Sequence, residues 1–239
     1  MYQPLGPMPK QPHGFCHAAV LLLSESLLTK HNECYITIIT ICERRIVMPP
    51  KVKITKQMIT DASLEVIRSD GHENLNARTI AQKLGCSTQP VLYSFKTVDE
   101  IREAAYQMAD QYHTDYIMPR ETDENPMLAL GLNYVRFGHE EKNLFRFLFQ
   151  TNKFGGMDVE ALFADPNLSA VIGVMAAGLH CTAEEAREMF LTFFSAAHGL
   201  ASLLANNAMA YDEGQCRKML EGVFYGMLAA RKGKEHETV

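Results

Sequence analysis

From Ile54 onward, apolar residues recur at three- and four-residue steps, whereas the first 47 positions follow no such rule. Ile59, Ala62, Leu64, Val66 and Ile67 mark the inner side of a first helix, and Ser69-Asp70-Gly71 stops it, glycine being suited to a helix C-terminus. Asn76, a good N-cap, precedes a two-turn helix from Ala77 to Leu84 with Ile80, Ala81 and Leu84 inward, and Gly85 closes it. Gly85-Cys86 supplies a tight turn and Ser87 caps a third helix. Pro90 falls in that helix's first turn, where its missing N–H would have no intrahelical partner. Val91 and Phe95 point this helix inward, leaving Gln89, Tyr93 and Lys96 at i, i+4 and i+7 on another face. A fourth helix runs from Val98 towards Met118, where Pro119 ends it, with Ile101, Ala105, Met108 and Tyr112 along one stripe.

Beyond Asn125-Pro126 a segment reaches about His139, followed by a short helix from Lys142 to Gln150 carrying Phe145, Phe147, Leu148 and Phe149. Residues 151–165 read as a glycine-bearing loop with a short helical piece, and Asp165-Pro166 introduces a helix ending at Leu179. Thr182-Ala183-Glu184-Glu185 is a capping box, so a long helix starts there and continues through Phe190, Phe194, His198, Leu203 and Leu204. The last helix spans about Asp212 to Arg231. The pattern predicts an all-α fold of about nine helices: a three-helix helix-turn-helix domain over 48–101, then a second helical domain over 102–239. Two long apolar-striped helices joined by a short link cannot bury both faces alone. A homodimer is therefore expected, paired through Leu200, Leu203, Leu204, Met219, Val223 and Met227.

The two short helices with a glycine turn between them carry the candidate chemistry. An exposed glutamine can read adenine in a major groove, and tyrosine and lysine can hold phosphates. Lys51, Lys53 and Lys56 ahead of the first helix form a basic arm, equally readable as a solvated charge run. Residues Leu75 to Pro90 resemble the helix-turn-helix of TetR/AcrR-type regulators, and Phe95 to Ile101 is similar to that family's lead into its fourth helix. The resemblance implies that Arg78, Thr88, Gln89 and Pro90 approach DNA, with Tyr93, Ser94 and Lys96 as further contacts. This chain departs from the family at three positions: Leu92 for tyrosine, Ser94 for histidine or tyrosine, and Val98 for lysine. Tyr93 and Lys96 are expected to take over the displaced tyrosine and lysine roles.

Phe194-Ser195-Ala196-Ala197-His198-Gly199 also resembles a W-x-x-x-H-G pattern of a C-terminal domain in that family, with phenylalanine for tryptophan. Thirteen methionines and twelve phenylalanines suit an adaptable apolar cavity, or simply a helical core. By resemblance, Met108, Tyr112, Phe137, Phe147 and Phe194 are candidate lining residues. His198 is a further candidate, though a lone histidine on an apolar face is more often a satisfied core group. The resemblance implies that residues 102–239 form a ligand-binding and dimerisation domain, and that the protein is a cytoplasmic repressor that a small apolar or amphipathic ligand releases from palindromic double-stranded DNA.

A net charge of −5 requires any nucleic-acid-binding charge to be local. Six cysteines without C-x-x-C spacing argue against a disulfide framework or zinc site, and no cofactor or metal is expected. The rival readings are a redox sensor acting through Cys86 beside the recognition helix, and a helical enzyme or binding protein. The enzyme reading lacks a phosphate loop, nucleophile elbow, H-E-x-x-H or dinucleotide motif. Residues 1–47 contain an apolar run, Ala18 to Leu23, too short to span a bilayer. Glu43-Arg44-Arg45 can be encoded by a purine-rich ribosome-binding sequence just ahead of Met48. Met48 is accordingly the expected start, with the preceding residues a non-native or disordered extension.

Overall fold

A computed structural model of the chain describes residues 53–120, 122–154, 156 and 166–237. The readings on residues 1–47, on Met48 as start and on Lys51 lie outside these residues, as does most of the loop before Pro166. Nine α-helices and no strand occur among the described residues: α1 (Lys56–Asp70), α2 (Ala77–Leu84), α3 (Thr88–Ser94), α4 (Val98–Ile117), α5 (Pro126–Glu140), α6 (Lys142–Phe149), α7 (Pro166–Leu179), α8 (Ala183–Asn206) and α9 (Glu213–Glu237). The fold is all-α, as the periodicity requires. The final helix runs past the Arg231 expected as its end.

α1 starts at Thr55, whose hydroxyl accepts the Met58 amide. Its inner face is Ile59, Ala62, Val66 and Ile67, while the buried hydroxyls of Thr60 and Ser63 donate back to the Lys56 and Ile59 carbonyls. Gly71, at φ +90°, ends it by donating to the Ile67 carbonyl; a Cβ there would be strained and would lie 2.6 Å from a Glu73 oxygen. α2 opens with a reciprocal box in which the Asn76 side chain accepts from Arg78 and Thr79, and Thr79 accepts from the Asn76 amide. At its other end Gly85 is left-handed (φ +64°), and the Cys86 amide returns to the Ala81 carbonyl at 2.9 Å. α1 packs against α2 and α4, and α2 against α3.

The larger helical layer is centred on α5 and α8, with α7 and α9 alongside α8 and α6 closing towards α1 and α4. Asn125 caps α5, and Pro126 occupies its first turn. The Thr182–Glu185 box opens α8, as the spacing predicts. α5 and α8 meet through small residues: a Cβ on Gly131 would stand 2.5 Å from the Phe193 ring, and one on Gly138 would stand 2.8 Å from the Ala201 Cβ. Helix ends are held by arginines from neighbours. Arg231 of α9 donates to the Leu179 and His180 carbonyls behind α7, and Arg146 of α6 donates to the Ala205 carbonyl at the end of α8. α8 is long and apolar enough to cross a membrane by composition, but it carries Ala186, Phe190, Phe193, Ala197 and Ala201 buried in this bundle.

Candidate functional site

α3 is a seven-residue helix, too short to persist by itself, so its orientation depends on what it buries. Val91 is fully buried and Phe95 is 6% exposed; each contributes about 1.5–3 kcal/mol of apolar burial. With those two facing inward, Thr88, Gln89, Leu92 and Tyr93 face solvent, and Tyr93 is 92% exposed. A tyrosine that contributes almost no burial is free to contact something outside the protomer. Pro90 and Ser94 are half-buried on the flank, and Arg78 is exposed at the start of α2. Lys56 lies over the Phe95 ring, 5.1 Å from its centroid.

Two details differ from the periodic reading. Lys96 is not on the α3 face, because that helix ends at Ser94 and Phe95 is extended (φ −127°, ψ 131°). It sits instead in the turn into α4, where the Glu100 carboxylate accepts the Lys96 amide at 3.0 Å and Thr97 accepts the Glu100 amide at 3.1 Å. The lysine side chain is exposed and makes no ion pair among the described residues. Ser87 occupies the N-cap position of α3 without making a side-chain cap bond.

The residues expected to line a ligand site divide into three groups. Phe137, Phe194 and His198 converge on a buried aromatic cluster with Tyr134, Phe145 and Phe149. His113, which the sequence reading passed over, stands in its middle: its ring is 4.8 Å from Phe137, 5.0 Å from Phe149 and 5.4 Å from Tyr134. The inner stripe of α4 is Ile101, Ala105, Ala109 and His113, one residue round from the expected Met108 and Tyr112. That four-residue spacing was the available signal for His113. Its Nε2 has no hydrogen-bond partner among the described residues, and burial holds its pKa down at about 4, so the ring is neutral near pH 7. The Tyr134 hydroxyl and His198 Nδ1 are 2.9 Å apart, and burial also lowers the His198 pKa.

Tyr112 belongs to a different cluster, where α1 meets the larger layer. Arg68 of α1 donates two hydrogen bonds to the Glu141 carboxylate, at 2.6 and 2.7 Å, and its guanidinium lies 4.8 Å from the Tyr112 ring centroid. The Tyr112 hydroxyl donates to the same carboxylate at 3.1 Å, and Asn143 donates to the Arg68 carbonyl at 2.9 Å. Burial and the adjacent Glu141 carboxylate push the Tyr112 pKa up to about 12. Neither Arg68 nor Glu141 carried a sequence signal, since their partnership is purely tertiary. Phe147 is buried against Tyr106 and His72, away from the aromatic cluster, and Met108 is half-buried on α4.

Along α8 and α9 runs an open apolar groove of about 510 Å³, lined in part by Leu200, Leu203, Met219 and Val223. Leu203 and Met219 are 47% and 56% exposed. Four of the expected pairing residues thus share one surface. Met227 is half-buried further along α9, and Leu204 turns inward at 4% exposure, so it belongs to the protomer's own core.

Residues 127–222 match the family model described as tetracyclin repressor-like, C-terminal domain. Among solved structures, the chain is similar to a TetR-family transcriptional regulator from Streptomyces coelicolor (17% identity, TM-score 0.59, covering 76% of this chain and 83% of that one). It is also similar to a TetR-like transcriptional regulator from a Rhodococcus species (16% identity, TM-score 0.53, covering 76% of this chain and 98% of that one). No curated protein matches it.

Proposed function

We propose that this chain, whose residues 127–222 match the tetracyclin repressor-like C-terminal domain and whose fold is similar to that of solved transcriptional regulators, is a homodimeric repressor that releases DNA when it binds a small ligand. The observation that carries the reading is the outward face of α3. Two apolar anchors hold a seven-residue helix so that Gln89 and Tyr93 project from it, with Thr88 at its exposed start and Arg78 and Lys96 on neighbouring elements. In the major groove Gln89 reads a base edge, Thr88 and Tyr93 contact the backbone or bases, Pro90 and Ser94 flank them, and Arg78 and Lys96 neutralise phosphates. The reading head ends at residue 101, and the rest of the chain is the sensor and dimerisation domain.

Two copies pair through the α8–α9 groove, with Leu200, Leu203, Met219, Val223 and Met227 buried between them. Such a pair presents its two α3 helices to half-sites about 34 Å apart, one duplex turn, so the operator is palindromic. The effector is small and largely apolar, with one polar group. It enters the Phe137, Phe194 and His198 region, where the His113 nitrogen, without a partner among the described residues, offers it a hydrogen bond. A buried polar atom left without a partner costs about 1–3 kcal/mol, which a ligand hydrogen bond would offset. Entry displaces α4, and the Arg68–Glu141–Tyr112 cluster passes the movement to α1. Differential affinity for the two arrangements supplies roughly 1–3 kcal/mol of coupling, about 5- to 150-fold in DNA affinity.

Selection of binding sites from a random duplex library tests this reading. Enrichment of inverted repeats with half-site centres about one duplex turn apart is expected. Recovery of no common sequence by the folded protein would contradict it.

A further inference from the structure

A second cavity, of about 410 Å³, opens between the start of α4, the α6 helix and the segment that follows α6. Its floor is aromatic: Tyr106 and Phe147 meet edge to face at 5.7 Å, and His72 lies 5.9 Å from Phe147. Its walls carry two ion pairs, Arg102 with Asp99 at 2.8 Å and Lys153 with Glu103. The Lys153 ammonium sits 3.9 Å from the centroid of the Tyr106 ring. A cation over an aromatic face with a carboxylate beside it is the arrangement that recognises organic ammonium ions, and here a side chain of the protein fills it.

Lys153 holds that position loosely. The Lys153 and Glu103 side chains are 36% and 54% exposed, and an ion pair this open to water adds little, so the lysine can swing out at small cost. Once it does, the walls keep two carboxylates, Asp99 and Glu103, against the single guanidinium of Arg102. That balance favours a positively charged guest over a neutral or anionic one. The cavity also has room for an apolar or aromatic body beside the charge, against Phe147 and His72. We infer that this cavity binds small organic cations carrying an apolar or aromatic group, which displace the Lys153 ammonium from the face of Tyr106. The inference is independent of DNA binding and of the effector placed near His113.

Calorimetric titration of the full chain with benzyltrimethylammonium chloride tests it, with neopentylbenzene as the uncharged isostere. Saturable binding of the cation and much weaker binding of the isostere are expected. Lys153→Met removes the internal competitor and should tighten binding by at least about threefold, whereas Tyr106→Leu should weaken it by about tenfold and Tyr106→Phe should retain it. Absence of saturable binding to both wild type and the exposed-site variant K153M overturns the inference. So does binding that K153M leaves unchanged, equal binding of the isostere, or undiminished binding by a folded Y106L protein.

Discussion

Gly138 is the position where the packing of the larger helical layer can be tested most sharply. It lies on α5 against α8, and a Cβ added there would stand 2.8 Å from the Ala201 Cβ, 2.9 Å from the Ala201 carbonyl oxygen and 3.0 Å from its Cα. Carbon atoms rest about 3.5–4.0 Å apart, so the overlap is close to 1 Å. Two of the three atoms are backbone, and no rotamer change relieves them; the two helices must separate. Overpacking of this kind costs about 1–3 kcal/mol, and a backbone clash falls at the upper end. Alanine recovers about 1 kcal/mol of helix propensity relative to glycine. Gly138→Ala should therefore lose about 2 kcal/mol, a fall of roughly 4–8 °C in Tm for a domain of this size. Gly173→Ala on α7, where nothing lies within 4 Å of the added Cβ, should leave Tm unchanged or raise it. Thermal unfolding followed by circular dichroism at one fixed protein concentration makes the comparison. A Gly138→Ala protein as stable as wild type would refute the close α5–α8 contact.

A double-mutant cycle on Arg68→Met and Glu141→Gln, read by urea denaturation, should give a coupling of about 1–2 kcal/mol. Bidentate geometry raises that value and the 44% exposure of the Arg68 side chain lowers it, so a coupling near zero would remove the pair as a link. The proposed pairing predicts a dimer in light scattering for wild type and a folded monomer for Leu203→Glu with Met219→Glu, since both side chains lie in the α8–α9 groove; a dimer that persists in the variant would place the interface elsewhere. His113 stays neutral down to about pH 4 when folded, while an unfolded histidine protonates from about 6.5 downward. The unfolded state then binds more protons, so His113 makes stability fall as pH drops through 6.5 towards 4, by up to about 2 kcal/mol between pH 7 and 5. Urea midpoints for His113→Leu should show that much less acid sensitivity than wild type, and equal sensitivity would refute the buried neutral ring.

The three-helix unit of α1 to α3 was legible because its signals are local. Asn76, Gly85, Val91 and Phe95 each act within a turn or two of themselves, and Pro166 and the Thr182–Glu185 box fix helix starts in the same way. Where periodicity was carried past a local stop it misplaced a residue. Lys96 follows an extended Phe95 and its amide donates to Glu100 in the turn into α4, so it cannot continue the α3 face. Leu203 and Leu204 are neighbours about 100° apart on α8, and only Leu203 can face the groove. The Arg68–Glu141–Tyr112 cluster and the Lys153–Tyr106 contact join distant segments, and no spacing rule connects such partners.

The central claim is that the exposed face of α3 reads DNA, and fluorescence anisotropy with and without Tyr93 tests it most directly. Wild type and Tyr93→Ala would be titrated onto a duplex recovered by selection and onto a random duplex, across a range of salt. Wild type should prefer the selected duplex, with affinity falling steeply as salt rises, while Tyr93→Ala should bind at least about tenfold more weakly with an unchanged Tm, because a side chain 92% exposed contributes almost nothing to folding. Equal affinity of the two proteins, or no preference over random DNA by a folded dimer, would contradict the account.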